Sequence, residues 1–65
     1  MLPFQQRVVD EEQQLGEKIS KLTIFLHSAI FLALHNEEQI RLIQQLGFMK
    51  AYGQILEARI KAWSE

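Results

Sequence analysis

The chain has 65 residues, of which 48% are hydrophobic and none is cysteine. A domain of this length buries only about 60% of the surface that its unfolded chain exposes. Without cysteine, neither disulfides nor thiolate metal sites can compensate for the small core. We therefore expect a single domain, residues 1–65, that reaches a stable fold by associating with further copies of itself.

The charges nearly balance, with seven Lys and Arg against eight Asp and Glu and a net charge of −1. Binding to duplex DNA depends on neutralising phosphates over a broad basic surface, which this balance does not provide. A small anionic ligand held by a few well-placed cations remains open.

The sequence also argues against membrane and secretory roles. Its longest apolar run, around residues 28–34, is far shorter than the roughly 20 residues that span a bilayer. The first residues, MLPFQQRVVDEE, lack the basic segment and apolar core of a secretory signal. The cytoplasm is the expected compartment.

The first long element is a helix over residues 3–26. Pro3 suits a first helical turn because its missing N–H costs nothing there. Apolar residues then recur on one face, and they are Val8, Leu15, Ile19, Leu22 and Leu26. Glu12 interrupts this face, so its first half is less apolar than its second.

The connection is predicted over residues 27–35, HSAIFLALH, where the helical period is lost in a nearly continuous apolar run. Ser28 is placed to cap a short turn, and the bulky side chains after it are placed to close the end of a two-helix hairpin. A single helix that continues through this segment is the alternative.

The second long helix is predicted over residues 36–64. Asn36 is suited to cap its first turn, and Gln39 three residues later completes a capping-box pattern. Apolar residues spaced alternately by four and three form a line along this helix. We call this line the main seam, and its members are Leu42, Leu46, Met49, Gly53, Leu56, Ile60 and Trp63. A second line beside it consists of Phe48, Tyr52, Ile55, Arg59 and Ala62.

Two neighbouring lines make a face too broad for one partner helix. We therefore predict an all-α fold, an antiparallel two-helix hairpin with a short apolar connection that assembles into a helical homo-oligomer. Gly47 and Gly53 are interpreted as points where another surface approaches closely. The predicted oligomer interface consists of Leu42, Leu46, Met49, Tyr52, Gly53, Leu56 and Ile60.

No catalytic or metal site is indicated, so we expect neither an enzyme nor a cofactor. The hydroxyl side chains available as nucleophiles are Ser20, Thr23, Ser28 and Ser64. A rigid hairpin has no concave pocket in which a histidine would be aligned with one of them. His27 and His35 flank the connection, but their spacing with the neighbouring glutamates matches no metal site.

More informative polar residues border the apolar faces. At about 100° per residue, Phe4, Arg7 and Lys18 lie within ~60° of one another, so an aromatic ring and two cations project from one edge of an interface. Ser20 occupies the opposite edge, and Arg59 borders the main seam. Clefts for small molecules form at such edges.

The competing interpretation is that these cations are rim residues that pair with Glu11, Glu17 or Glu57. Periodicity alone favours this plainer interpretation, because such rims are common in helical assemblies. The pattern by itself therefore establishes only a helical oligomer.

Longer stretches of the chain suggest a family. The segments PFQQRVVDEEQQLGEKISKL and EEQIRLIQQLGFMKAYGQILEARI, joined by the apolar connection, resemble small phage proteins related to the crAss-like phage family that includes the anti-CBASS cyclic-nucleotide sponge. The distinctive parts are QQRVVDE, EKISKL and the spacing QL-x-x-M-x-x-Y-x-x-x-L-x-x-RI. The resemblance covers nearly the whole chain and implies a compact helical hexamer.

The resemblance also implies roles for individual residues. An aromatic ring near the N-terminus and a lysine in the first helix would bind a cyclic dinucleotide, and Phe4 and Lys18 match them, with Arg7 beside them. A hydroxyl in the first helix and a late arginine would bind a cyclic trinucleotide, and Ser20 and Arg59 match those. The chain departs from the family in having Phe4 where tyrosine is expected.

The leading hypothesis is a phage immune-evasion protein. It would bind and sequester cyclic di- or trinucleotide second messengers of bacterial CBASS defence, without degrading them, in the cytoplasm of the infected host. The alternative is a helical structural or adaptor protein that mediates only self-assembly or protein–protein interaction.

Overall fold

A computed structural model describes residues 1–64, with side chains to residue 63. It contains α1 (Pro3–Leu26), α2 (Ala29–Leu32) and α3 (Asn36–Ser64), and no strand within this range. The two long helices pack side by side into a rod of 45 × 15 × 14 Å. The prediction of an all-α fold with two long packed helices is confirmed. Glu65, the last residue of the predicted domain, lies outside the described residues.

The helices α1 and α3 run antiparallel. Phe4 near the start of α1 contacts Trp63 near the end of α3, whereas α2 joins the other ends. We call these the open end and the closed end of the hairpin. None of its helices, as far as the chain is described, has the length and apolar character needed to cross a membrane.

The start of α1 is fixed by backbone and side-chain hydrogen bonds. The carbonyl of Leu2 accepts the N–H groups of Gln5 and Gln6, at 3.0 and 3.1 Å. The side-chain oxygen of Gln5 in turn accepts the N–H of Leu2 at 2.8 Å. Pro3 occupies the first helical position, where a missing N–H leaves no carbonyl unpaired.

The connection contains a short helix, α2, and the alternative of one continuous helix is wrong. Ser28 adopts an extended conformation, with φ −92° and ψ 158°, which ends α1. Its hydroxyl donates to the carbonyl of Phe25 at 2.6 Å and accepts the N–H of Phe31 at 3.2 Å. Ser28 therefore caps α2, and Phe31 is buried against the hairpin with its ring 6.3 Å from that of Phe25.

The predicted capping box at Asn36 and Gln39 is wrong. Helix α3 begins at Asn36, where it was predicted to begin, but the N–H of Gln39 donates to the carbonyl of His35 at 3.0 Å and not to the side chain of Asn36. The side-chain amide of Gln39 points away from its own helix and donates to the carbonyls of Phe31 and Leu34, at 3.0 and 3.1 Å. The side chain of Gln39 thus supplies hydrogen-bond donors to the carbonyls at the end of α2, and it links α3 to α2 at the closed end.

The main seam of α3 faces α1 of the same chain. A Cβ added at Gly53 would lie 3.7 Å from the side chains of Leu15 and Ile19, and Leu56 has no exposed surface. Val8 of α1, with 7% of its surface exposed, is the other buried residue between the long helices. The core within residues 1–63 is therefore narrow and runs along one line.

This placement bears on the predicted oligomer interface. Leu56 has no exposed surface, because the core of the hairpin encloses it within its own chain; the predicted oligomer interface stays a prediction. The half-buried residues of the same face, Leu42, Leu46, Met49, Gly53 and Ile60, lie with it. Tyr52 is exposed. A seam of this period does not reveal whether the partner helix belongs to its own chain or to another.

Candidate functional site

A group of aromatic and charged side chains lies at the open end of the hairpin. The rings of Phe4 and Trp63 meet edge to face, with centroids 5.6 Å apart and planes at 84°. The guanidinium carbon of Arg59 lies 5.9 Å from the centroid of the Trp63 ring, which is within cation–π range. One turn of α3 separates Arg59 from Trp63, so the helix itself sets this stacking.

The same face continues to Tyr52 and Glu11. The hydroxyl of Tyr52 donates to a carboxylate oxygen of Glu11 across the two long helices. This hydrogen bond is the main cause that raises the pKa of Tyr52 above 10.0; burial and the negative charge of Glu11 add to the rise, and Arg59 opposes it. We call Phe4, Glu11, Tyr52, Arg59 and Trp63 the open-end cluster.

The open-end cluster is a surface and not a cleft. Phe4 and Tyr52 each keep 43% of their surface exposed, so both rings present area to an incoming planar group. Across the part of the chain that is described, a single copy contains no pocket. A small ligand would therefore need a second surface to enclose it.

The cations predicted on α1, Arg7 and Lys18, lie on the same face of that helix as Phe4. Arg7 and Lys18 are exposed, and neither forms an ion pair with another residue of the described range, where the ion pair present joins Arg41 to Glu38 at 2.8 Å. The competing interpretation required pairing with Glu11, Glu17 or Glu57. Glu11 instead accepts from Tyr52.

The predicted dinucleotide-binding residues share a face but do not form one cluster. Arg7 lies one turn from Phe4 on α1. Lys18 is fourteen residues from Phe4 in the sequence, which is about 21 Å along the axis at ~1.5 Å per residue. One chain thus brings Phe4 and Arg7 to the open end and leaves Lys18 near the middle of the rod.

The predicted trinucleotide-binding pair is separated within one chain. Arg59 lies at the open end, beside Trp63. Ser20 lies in the second half of α1, and about 100° per residue places it on the opposite flank from Phe4. Arg59 is therefore brought together with Phe4, through Trp63, and not with Ser20.

Two members of the open-end cluster were not predicted from the sequence. Trp63 was placed in the main seam, and Glu11 was considered only as a pairing partner for the rim cations. Both residues can be identified only from the antiparallel pairing of the long helices, because this pairing places the start of α1 next to the end of α3. Without the register of the hairpin, the residues that meet across it cannot be identified.

The histidines carry no metal-site geometry. The Nδ1 atom of His27 lies 2.8 Å from the carbonyl oxygen of Thr23, on the preceding turn. Within the described residues, no group of three or more His, Asp or Glu side chains is placed to hold a metal ion.

Comparisons with known proteins agree with the extent of this fold. The model of the family described as Sequestin matches residues 2–62. An uncharacterized 7.5 kDa protein of the denB-rIIB intergenic region of Enterobacteria phage T4 is 47% identical over 60 residues, which cover 92% of this chain and 94% of the relative. No solved structure matches the chain.

Proposed function

We propose, from the premise that this chain belongs to the Sequestin family, that it binds and sequesters cyclic di- or trinucleotide second messengers of bacterial CBASS defence. It would act as a phage immune-evasion protein in the cytoplasm of the infected host and release its ligand unaltered. The family name denotes sequestration, and the relative of phage T4 supports a phage setting. The observation that carries the proposal is the open-end cluster, with exposed rings beside a guanidinium.

The chemistry of this cluster matches the parts of a nucleotide. Base stacking on an aromatic side chain contributes about 1–3 kcal/mol per base, and the exposed face of Phe4 is available for it. Arg59 is held over Trp63 and is exposed, so its N–H groups would form charge-assisted hydrogen bonds to phosphate. Arg7 adds a second cation one turn from Phe4.

A homo-oligomer would turn this surface into an enclosed site. A cyclic dinucleotide has two bases and two phosphates, so a two-fold interface would present each residue twice. Lys18, about 21 Å from Phe4 along α1, would then serve a ligand bound mainly by another copy. Ser20 and Arg59 would likewise share a trinucleotide only between copies. The hexamer is the assembly that the family resemblance favours.

Sequestration needs binding that is tight and slow to release, but no chemical step. The near-neutral chain, with a net charge of −1, also limits competition from RNA, which binds strongly basic proteins through its phosphates. The proposed activity is therefore within the reach of a chain as short as this one.

Isothermal titration calorimetry with a panel of cyclic dinucleotides and trinucleotides tests the proposal. We expect micromolar or tighter binding of at least one of them, and recovery of that ligand intact after heat release. Arg59→Ala should weaken binding at least tenfold, because it removes a charged donor to phosphate. Arg41→Ala, an exposed arginine nearer the closed end, is the matched control and should bind normally.

Absence of binding to every member of the panel would exclude the proposal. Conversion of the ligand during incubation would indicate an enzyme instead.

The second candidate is a structural or adaptor protein that only assembles, and the exposed apolar residues of α3, such as Phe48 and Ile55, favour it. It predicts that Lys18→Ala and Arg59→Ala change nothing, whereas an aspartate on the exposed face of α3 abolishes assembly. Native mass spectrometry separates the candidates, because a sequestering protein carries added ligand mass.

A further inference from the structure

The open-end cluster contains a carboxylate among its aromatic and cationic side chains. Glu11 lies on the face that also presents Phe4 and Arg59, and its negative charge opposes the binding of an anion there. A carboxylate that pairs with a neighbouring arginine also removes that guanidinium from use by a ligand. The partner of Glu11 therefore decides how much positive charge the cluster offers.

Arg7 has two acidic neighbours on its own helix. Asp10 and Glu11 lie three and four residues after it, at the spacings where opposite charges on a helix pair. The chain forms such a pair on α3, where Arg41 contacts Glu38, three residues before it, at 2.8 Å. Arg7 forms no ion pair within the described residues, although its two acidic neighbours are as close in sequence.

Neutral donors hold both of these carboxylates instead. The side-chain amide of Gln6 donates to Asp10 at 2.9 Å, and the hydroxyl of Tyr52 donates to Glu11 across the long helices. An amide and a phenol carry no charge, so each satisfies a carboxylate without occupying a cation. The N–H groups of Arg7 are left for another partner.

The hydroxyl of Tyr52 also stands between Glu11 and Arg59. No position three or four residues from Arg59 on α3 is acidic, so the carboxylate that competes for it comes from α1. Glu11 raises the pKa of Tyr52 and Arg59 lowers it, which places both charges near the same hydroxyl. Even so, the guanidinium of Arg59 lies over the ring of Trp63 and forms no ion pair with Glu11.

We propose that Tyr52 is a positioning residue, whose hydroxyl holds Glu11 where the carboxylate pairs with neither Arg7 nor Arg59. Both guanidinium groups then stay available for the phosphates of a ligand. An exposed ion pair is weak, but a ligand would have to break it before its phosphate could bind, so its absence raises the affinity. The arrangement of the side chains stands by itself, whereas its use by a nucleotide rests on the proposed function.

NMR of the arginine side chains in the full chain, without ligand, is the first test. Tyr52→Phe keeps the ring, which is 43% exposed, and removes only the donor, so the carboxylate of Glu11 is released. We expect the Nε hydrogen of Arg7 or Arg59 to exchange with water about twofold more slowly, because an ion pair now protects it. The rate should return to that of the parent in Tyr52→Phe/Glu11→Gln. Unchanged exchange in Tyr52→Phe would overturn the proposal.

Calorimetry with the cyclic nucleotide that the parent chain binds most tightly is the second test. Tyr52→Phe should weaken binding about two- to fivefold, and more at low salt than at high salt, because the competing attraction is electrostatic. Adding Glu11→Gln should restore the affinity. Glu17→Gln is the matched control, since it removes the same charge from an exposed position on α1, and it should restore nothing. A double variant that stays as weak as Tyr52→Phe would show that the hydroxyl itself contacts the ligand, and the positioning role would be wrong.

The two measurements separate this inference from the proposed function. If no cyclic nucleotide binds the parent chain, the proposed function fails, and the exchange rates of the arginines still decide whether Tyr52 keeps them unpaired. If a cyclic nucleotide binds while Tyr52→Phe leaves those rates unchanged, the proposed function stands and the positioning role of Tyr52 fails.

Discussion

The closed and open ends of the hairpin are built from different kinds of contact. At the closed end, Ser28 and Gln39 direct their polar atoms at backbone groups, and Phe31 is 8% exposed. At the open end, Phe4 and Arg59 lie on the surface and interact with Trp63 through a ring edge and a ring face. The closed end satisfies its own groups, whereas the open end presents them to solvent.

The difference indicates how a short chain divides its residues between folding and binding. Buried rings and satisfied carbonyls stabilise a fold, but they leave nothing for a ligand to contact. Exposed rings and unpaired cations contribute little to stability and remain available. Substitutions at the two ends should therefore separate these two properties.

The largest effect is expected at the closed end, from Phe31→Ala. Removing a buried phenylalanine costs about 3–5 kcal/mol, which is a large fraction of the stability of a small domain. Urea unfolding followed by circular dichroism should show loss of the cooperative transition or a strongly lowered midpoint. Leu32→Ala, in the same helix but 75% exposed, is the control. Equal effects of both changes would contradict a buried role for Phe31.

A smaller effect is expected from Gln39→Ala. It leaves the carbonyls of Phe31 and Leu34 without their side-chain donor, which should lower the free energy of unfolding by about 1–3 kcal/mol. Gln54→Ala, at an exposed position of the same helix, should stay within about 0.5 kcal/mol of the parent. If both variants unfold at the same urea concentration, the hydrogen bonds from the side chain of Gln39 do not stabilise the closed end.

The smallest effect is a change in titration at the open end. Tyr52 is the one tyrosine of the chain, so its absorbance near 295 nm reports its pKa directly. Glu11→Gln should lower the pKa of Tyr52 towards 10.0, because it removes the charged hydrogen-bond acceptor, and Arg59→Ala should raise it. Glu17→Gln should leave it unchanged.

The sign of the linked stability follows from the raised pKa. The protonated form of Tyr52 is favoured in the folded chain, so its contribution is fully present below pH 10.0 and is lost as the pH rises through the folded pKa. An unchanged pKa in Glu11→Gln would show that the contact between the long helices is not maintained in solution.

The long helices were predictable because their signals are local. Proline is tolerated in the first turn of a helix and disrupts the helix interior, so Pro3 marks the start of α1. The apolar period then continues through both long helices. The roles of Gln39 and Trp63 were not predictable, since each depends on a group far along the chain or across the hairpin. Capping patterns alone suggested a local bond for Gln39 and missed the carbonyls of α2.

The positions of the candidate site residues could be inferred from the sequence only in part. Periodicity placed Phe4 and Arg7 on one edge and Arg59 beside the main seam, and the structure places all three at the open end. Periodicity compares only the angles of residues around the helix axis. It therefore grouped Lys18 with Phe4, although three to four turns separate the two residues along the axis. Nor does periodicity distinguish a seam used within the chain from one used between copies, so the burial of Leu56 inside the hairpin could not be foreseen from the sequence.

The antiparallel hairpin also determines where the protein can be labelled. Residues 1 and 64 both lie at the open end, because Phe4 contacts Trp63, so an affinity tag or fluorophore on either side would crowd the open-end cluster. Ala33 is exposed in the connection, at the other end of a rod 45 Å long. A probe attached there would leave the rings of Phe4 and Trp63 unobstructed in immobilised or fluorescent binding assays.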